Sequence, residues 1–221
     1  MSVMGTVLRR LARFVPSDRL LLRGPVADGA PVALTFDDGP HPDHTLRILD
    51  TLEAASARGT FFVQGDQAER YPELVRAIHR RGHQIGNHAF NHVSVRRLGS
   101  FRHVADVKRT HQLLEEIVGG PVPPVFRPPF GDWSPLAFAM LSTRGYQFVL
   151  WSMDSDDSYV TDADALVARV LGKRPSSGEI LLFHEDYTHT VAALPAILRG
   201  FSAVGLRFAR ICDMSPRNSD G

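Results

Sequence analysis

The chain has 221 residues, which suits one globular domain built around a single hydrophobic core. Hydrophobic residues make up 43% and charged residues 22%, and a formal net charge of +1 leaves no broad positive field that would attract nucleic acid. Cys212 is the only cysteine, which excludes an intrachain disulfide and a cysteine-rich zinc site, so metal chemistry has to be sought among the ten histidines and the carboxylates.

The first 30 residues form a basic segment. Residues 1–24 contain five arginines against Asp18, and the apolar residues among them fall at near-helical spacing. Arginines at positions 9, 10 and 13 interrupt the apolar run that a secretory signal peptide needs, and no run approaches the roughly 18–20 residues that span a bilayer. We therefore predict a cytoplasmic protein. Its N-terminal helix either packs on its own domain, which we favour, or lies peripherally on an anionic membrane.

From Val32 onward, apolar strand-like runs alternate with helix-like stretches, several of which begin at Ser, Thr or Asp caps, as at Ser134, Asp162 and Thr190. Seven candidate strands, short and rich in Val, Ile and Phe, are Val32–Phe36, Thr60–Gln64, His83–Gly86, Val125–Arg127, Phe148–Met153, Glu179–His184 and Leu206–Arg210. The alternation predicts parallel βαβ units over 31–213, in a (β/α) barrel or an open sheet, followed by a disordered tail over 214–221. In either architecture the polar chemistry lies at the carboxyl ends of the strands.

Chemically unusual residues follow the first and third candidate strands. The first ends in Asp37 and Asp38, two adjacent carboxylates of which one could bind a metal while the other accepts a proton. The third ends in His88 and His92, whose spacing of four lets two imidazoles face one cation. Together with Asp38 they form a two-histidine, one-carboxylate set, which leaves coordination positions open for water and substrate.

His79 and His83 have the same spacing and serve as an internal control. They flank Arg80 and Arg81 at a predicted helix end. Because neighbouring arginines disfavour a cation, we predict that these two histidines are structural or solvated.

Three later strand ends add further candidates. Arg127 ends the fourth strand, where it can pair with and orient a carboxylate, and the loop Pro128–Trp133 follows it. The fifth strand leads into three acids within Asp154–Asp157, and the sixth delivers His184 to the same rim. Taken singly, Arg127 and its loop also fit a rigid surface loop, while the acidic run is more often a solvated turn and the histidine more often a near-core residue. Together they supply the parts needed for metal-assisted hydrolysis of an amide.

The same residues, in the same order, resemble the carbohydrate esterase family 4 polysaccharide deacetylases, the NodB-homology domain. The resemblance covers nearly all of the chain from about Val32 to Cys212. Five family motifs can be laid on it: TFDDGP at 35–40, HxxxH at 88–92, RxPxG at 127–131, DxxD at 154–157 and LxxH at 181–184. The fold it implies is a distorted (β/α) barrel with about seven parallel strands.

The resemblance also implies roles at the candidate metal centre. Asp38, His88 and His92 bind a divalent metal, typically zinc, for which cobalt can substitute. Asp37 is the general base for the hydrolytic water. Arg127 orients Asp37.

On the substrate side, the resemblance implies that the Phe130 backbone N–H, with the metal, holds the tetrahedral oxyanion. His184 is the general acid that protonates the leaving amine, and Asp157 tunes it. Leu182 lines the pocket for the acetyl methyl group. The candidate substrate-binding set is completed by Gly131, Trp133 and Trp151. The implied substrate is an N-acylated amino sugar in an oligosaccharide, polysaccharide or glycoconjugate.

Two positions depart from the family pattern. Ala89 replaces the Ser or Thr that usually follows the first metal histidine, and Ser158 replaces the tryptophan that normally follows the last acid of the fourth motif. One wall of the acyl pocket is then smaller, or is supplied by Trp151 or Trp133. Two alternatives stay open: a hydrolase of a non-sugar linear or cyclic amide, and a catalytically silent carbohydrate-binding relative.

Overall fold

The computed structural model describes residues 15–27 and 29–214. The predicted N-terminal helix lies almost entirely outside these residues, and so does the predicted tail over 214–221 except for Met214. Leu20–Leu21, within the predicted N-terminal segment, form a strand of the main sheet, and Met214 is buried. Among the described residues, no helix combines the length and the apolar character needed to cross a membrane.

Parallel pairing organises the whole sheet. Its strands are β1 (Leu20–Leu21), β2 (Val32–Asp37), β3 (Thr60–Val63), β4 (Gln84–Asn87), β5 (Val125–Phe126), β6 (Gln147–Val149), β7 (Met153–Asp154), β8 (Ile180–His184) and β9 (Phe208–Ala209). The hydrogen-bonded order is β1-β6-β5-β4-β3-β2-β8-β7, with β9 pairing with the start of β2. Each of the seven predicted strands overlaps an observed one, and the parallel βαβ prediction is confirmed.

The strand count differs from the prediction because Phe148–Met153 is divided in two. β6 pairs with β5 and β1, whereas β7 pairs with β8 at the other end of the order. The four steps from Val149 to Met153 can span no more than about 14 Å, so the two ends of the sheet must lie close together. With β1 added, the described residues form a distorted (β/α) barrel of nine short strands.

Helices connect the strands and cover the sheet. They are α1 (Thr45–Ala54), α2 (Gly65–Arg70), α3 (Pro72–Arg80), α4 (Val95–Leu98), α5 (Ser100–Val118), α6 (Pro135–Ser142), α7 (Ala163–Gly172) and α8 (Thr188–Ala203). The Ser134 hydroxyl accepts a hydrogen bond from Ala137 N–H at 3.0 Å, and the Asp162 carboxylate accepts one from Ala165 N–H at 2.8 Å, as predicted caps should. Thr190 instead lies inside α8, which begins two residues earlier.

The centre of the core is β2, whose six residues are all buried. The Phe36 ring stacks on Phe61 at 4.9 Å and on Phe183 at 5.8 Å, and burial of each such ring contributes about 2–3 kcal/mol. A strand held this firmly on both faces gives its carboxyl end, at Asp37, a defined position beside β3 and β8.

Candidate functional site

The candidate site lies at the carboxyl ends of four strands. Asp37 ends β2 and lies opposite His184, the last residue of β8, while Asn87 at the end of β4 lies opposite Phe126 at the end of β5. The residues that follow these ends are therefore neighbours in space although they are far apart in the chain. The expectation that polar chemistry follows the strands agrees with this geometry.

Asp38, His88 and His92 come together as a three-donor cluster. Asp38 Oδ1 lies 3.5 Å from His88 Nε2 and 3.3 Å from His92 Nε2, and all three donor atoms lie within 4.8 Å of one another. His88 Nδ1 lies 2.7 Å from Arg127 O. Since a carbonyl only accepts, Nδ1 carries the proton and Nε2 keeps a lone pair for a cation. One carboxylate and two imidazoles suit a zinc-type ion, so the residues fit the predicted metal.

The cluster also controls the ionisation of Asp38. Burial opposes ionisation, but the nearby His88, His92 and His184 and a hydrogen bond from Gln64 outweigh it and lower the pKa of Asp38 below its ordinary value. The Gln64 side-chain amide donates to Asp38 Oδ1 at 2.7 Å. The sequence analysis gives no role to Gln64, because it belongs to none of the five motifs. Only its place directly after β3, next to β2, indicates that it can reach the site.

Arg127 and Asp37 form a buried ion pair beside the cluster. Arg127 is fully buried, and its Nη1 donates to Asp37 Oδ1 at 2.8 Å and to Thr35 Oγ1 at 2.7 Å. Its other nitrogens donate to the carbonyls of Val149 and Leu150, and the Phe62 ring lies 4.2 Å from the guanidinium carbon. This pairing holds Asp37 in one orientation, as the resemblance implies for Arg127.

The second oxygen of Asp37 faces the donor cluster. Asp37 Oδ2 lies 3.7 Å from His88 Nε2, while Oδ1 is engaged by Arg127. One carboxylate oxygen is therefore fixed and the other is directed toward the place where a cation and its water would lie. A carboxylate with one oxygen held in place and the other available to accept a proton suits a general base.

His184 and Asp157 form a second linked pair on the same rim. His184 Nδ1 lies 2.7 Å from Asp157 Oδ1. The other oxygen of the fully buried Asp157 accepts from His184 N–H at 2.8 Å and from Thr190 Oγ1 at 3.0 Å, and its backbone carbonyl accepts from His189 Nε2 at 2.8 Å. The sequence predicts only a helix cap at Thr190 and gives no role to His189, because no spacing connects either residue to Asp157.

This pair favours a protonated His184 ring. Burial lowers the pKa of His184, but the hydrogen bond and charge of Asp157, followed by the charges of Asp37 and Asp38, raise it to about 9 in the metal-free protein. An imidazolium with one N–H held by Asp157 can present the other to a leaving group. That is the property required of a general acid.

The predicted substrate-binding residues lie in different surroundings. Phe130 is 65% exposed, and its ring lies 4.4 Å from that of His92. A Cβ on Gly131, where φ is +65°, would lie 3.1 Å from the Trp151 ring, so glycine allows this close approach. Leu182 is buried in β8. The Trp133 ring packs edge-on against Phe138 of α6 at 6.0 Å, which makes it part of an apolar cluster.

The two departures from the family pattern also have defined surroundings. Ala89 is buried in the same apolar cluster as Phe126 and Phe148, and its N–H donates to Asn87 Oδ1 at 2.8 Å. Ser158 is exposed in the short helical turn Asp157–Tyr159, directly after the residue that holds His184. Neither position interrupts the contacts among the candidate catalytic groups.

His83, the internal control, lies at the opposite end of β4 from His88. Its Nδ1 accepts a hydrogen bond from Gly59 N–H at 3.1 Å. Burial, followed by the charges of Arg58 and Arg81, lowers its pKa to about 4. Hydrogen bonding and repulsion by arginines account for this histidine without a cation, in line with the prediction.

The chain is similar to known proteins over most of its length. The polysaccharide deacetylase family model matches residues 25–149. A peptidoglycan-N-acetylglucosamine deacetylase of Bacillus cereus is 36% identical over 188 residues, which cover 83% of this chain and 87% of that protein.

Solved structures give the same relationship at the level of the fold. A peptidoglycan N-acetylglucosamine deacetylase crystallised with a hydroxamate-type benzamide superposes with a TM-score of 0.85 at 30% identity, covering 95% of this chain and 96% of the other. A family 4 carbohydrate esterase from Streptomyces lividans, in complex with acetate, gives a TM-score of 0.76 at 33% identity over 86% of this chain and 95% of the other.

Proposed function

The chain belongs to the polysaccharide deacetylase family, and from this premise we propose that it hydrolyses the N-acetyl group of an N-acetylated amino sugar in a glycan. The observation that carries the proposal is the meeting, on one rim, of the Asp38–His88–His92 cluster with two oriented proton-transfer groups. These groups are Asp37, held by a buried arginine, and His184, held by a buried carboxylate. Amide hydrolysis needs these parts together.

Asp38, His88 and His92 would hold a divalent cation, for which zinc is our proposal and cobalt the substitute. When bound, that cation supplies Lewis-acid polarisation of the acyl carbonyl and lowers the pKa of water. Asp37 Oδ2, facing the cluster, accepts a proton from the attacking water as its oxygen bonds to the acyl carbon. Arg127 keeps the carboxylate in this orientation throughout.

His184 completes the reaction at the nitrogen. As the carbon–nitrogen bond breaks, the proton on His184 Nε2 passes to the leaving amine, and the products are acetate and a free amino sugar. Asp157 stabilises the imidazolium before the transfer. The Phe130 backbone N–H is our candidate for the donor that stabilises the oxyanion.

We propose a glycan bearing N-acetylglucosamine as the substrate class. The relative with 36% identity is named for that sugar in peptidoglycan, and the exposed Phe130 ring beside His92 offers a flat apolar face of the kind on which a sugar ring can stack. Both proton-transfer residues are present, which argues against a silent relative.

Acetate release from defined substrates tests the proposal. Metal-stripped protein reloaded with zinc or cobalt should release acetate from chitooligosaccharides or peptidoglycan fragments. The same protein should release no acetate after a chelator has removed the metal. H88A should bind zinc poorly, whereas the matched control H83A should bind it like the unaltered chain. Full activity in chelator would refute the metal mechanism. Hydrolysis of cyclic amides without acetate release from any glycan would favour the non-sugar alternative.

Cytoplasmic localisation and peripheral membrane contact through the N-terminal segment stay predictions. Fractionation of cells that produce the full chain into soluble, membrane and external fractions tests them. Recovery of the protein outside the cytoplasm would refute the first. Complete recovery in the soluble fraction at low salt would refute the second, because contact with an anionic surface is strongest at low salt.

A further inference from the structure

Glu185 is a fully buried carboxyl group directly beside the candidate site. It follows His184 in the chain, lies just beyond the LxxH motif and has no role in the proposed reaction. Burial, opposed by a hydrogen bond from Thr45 and reinforced by the charges of Asp38, Asp37 and Asp186, raises its pKa to about 8. A carboxyl group that is costly to bury needs contacts that account for its position.

Three hydrogen bonds connect Glu185 to β2 and α1. Its backbone N–H donates to the carbonyl of Asp37 at 3.0 Å, which extends the ladder between β8 and β2 by one bond. Its own carbonyl accepts from His44 Nδ1 at 2.7 Å, and its carboxyl oxygen Oε2 accepts a short hydrogen bond from the Thr45 hydroxyl. Glu185 therefore joins the end of β2 to the start of α1. The segment between these two elements begins with the Asp37–Gly39 turn.

The second carboxyl oxygen lies against the turn itself. Oε1 is buried, has no hydrogen-bond partner among the described residues and occupies the space that a side chain on Gly39 would need. The Gly39 carbonyl in turn accepts from Gln64 N–H at 2.9 Å. Gly39 is thus held by contacts with both the Glu185 carboxyl group and Gln64.

The same turn carries Asp38, whose backbone has a left-handed φ of +71°. For a non-glycine residue this conformation costs about 1–2 kcal/mol, so contacts with the surroundings have to hold the backbone there. Asp38 would direct its carboxylate elsewhere if the backbone relaxed. The contacts that hold Gly39 oppose this relaxation.

We propose that Glu185 is a positioning residue that fixes the Asp37–Gly39 turn and so directs the Asp38 carboxylate toward His88 and His92. This inference rests on the proposed role of Asp38 as a metal ligand. Its effect should appear in metal affinity, because a displaced ligand weakens cation binding even where the fold is intact.

The test compares zinc affinity, measured by competition with a chromogenic chelator, with the thermal stability of the metal-free full chain. We expect E185A to bind zinc at least tenfold more weakly and E185Q, which keeps the shape and the acceptor for Thr45, to stay within threefold of the unaltered chain. E179A is the matched control, because Glu179 precedes the other end of β8 and pairs with Arg23. Its zinc affinity should not change.

A folded E185A that binds zinc as tightly as E179A would overturn the proposal, and so would an E185Q as impaired as E185A. If E185A does not fold, T45V decides, because it keeps Glu185 and removes the hydroxyl that donates to Oε2, together with the hydrogen bond that this hydroxyl accepts from His41 N–H at 2.8 Å. We expect T45V to weaken zinc binding at least threefold, and unchanged affinity would overturn the proposal. Failure of the unaltered chain to bind zinc would instead refute the proposed function.

Discussion

Replacement of Asp157 by asparagine is the sharpest test of His184 as general acid. Asp157 Oδ2 accepts from both His184 N–H and Thr190 Oγ1, so an asparagine must place its carbonyl oxygen there. Its amide nitrogen then takes the position of Oδ1, 2.7 Å from His184 Nδ1. An N–H donor at that position can pair only with an unprotonated Nδ1, so D157N favours the neutral ring.

The size of the effect follows from the pKa of His184. In the metal-free protein, a pKa of about 9 keeps about 97% of His184 protonated at pH 7.5. Without Asp157, whose hydrogen bond and charge do most to raise this pKa, it falls to the ordinary value of 6.5 or below, and at most about 9% remains protonated. We therefore expect D157N to lower kcat/KM at least about tenfold at pH 7.5. At pH 5.5 the deficit should be smaller than at pH 7.5, because the D157N ring gains protons as the pH falls whereas the ring of the unaltered protein is already protonated.

The assay is a pH profile of acetate release by zinc-loaded enzyme. D156N is the matched control, because Asp156 lies in the same turn but pairs with Lys173 and Arg169 at the surface.

A second measurement is urea unfolding of the metal-free protein. Because the folded pKa of His184 is raised, its contribution to stability is full below about pH 6.5 and disappears as the pH rises through about 9. D157N should lack this loss.

Equal ratios of D157N to unaltered activity at pH 5.5 and pH 7.5 would refute the reasoning, because Asp157 would then not control the protonation of His184. An equal alkaline loss in D156N would refute it as well, since the effect would then come from the turn as a whole.

Three further outcomes follow from the same geometry. D37N should lower kcat about 10²- to 10⁴-fold with zinc affinity within threefold, and unchanged turnover would exclude Asp37 as base. R127A should lower the free energy of unfolding by about 3–5 kcal/mol in urea titrations, because it leaves Asp37 buried without its charge partner; a loss below about 1 kcal/mol would contradict the buried pair. H88A should weaken zinc binding by more than about 100-fold, while H83A should lower stability without changing zinc affinity.

The sequence by itself determined the parallel βαβ architecture and most of the candidate site. Runs such as Val32–Phe36 are apolar on both faces because both faces are covered, and parallel strands bring their carboxyl ends to one edge. Asp38, His88 and His92 could therefore be grouped from their places after strands. His83 could be set apart because it lies at a predicted helix end next to arginines rather than after a strand.

Only the tertiary structure decided the contacts between segments that no spacing connects. Phe148–Met153 is two strands because the curled sheet brings its ends together, a property of the whole sheet. Gln64, Thr190 and Glu185 hold Asp38, Asp157 and the Asp37–Gly39 turn through hydrogen bonds and packing across 26 to 148 positions in the chain. Side-chain identity indicates which chemistry is available, whereas the packing of distant elements decides which oxygen or nitrogen each group faces.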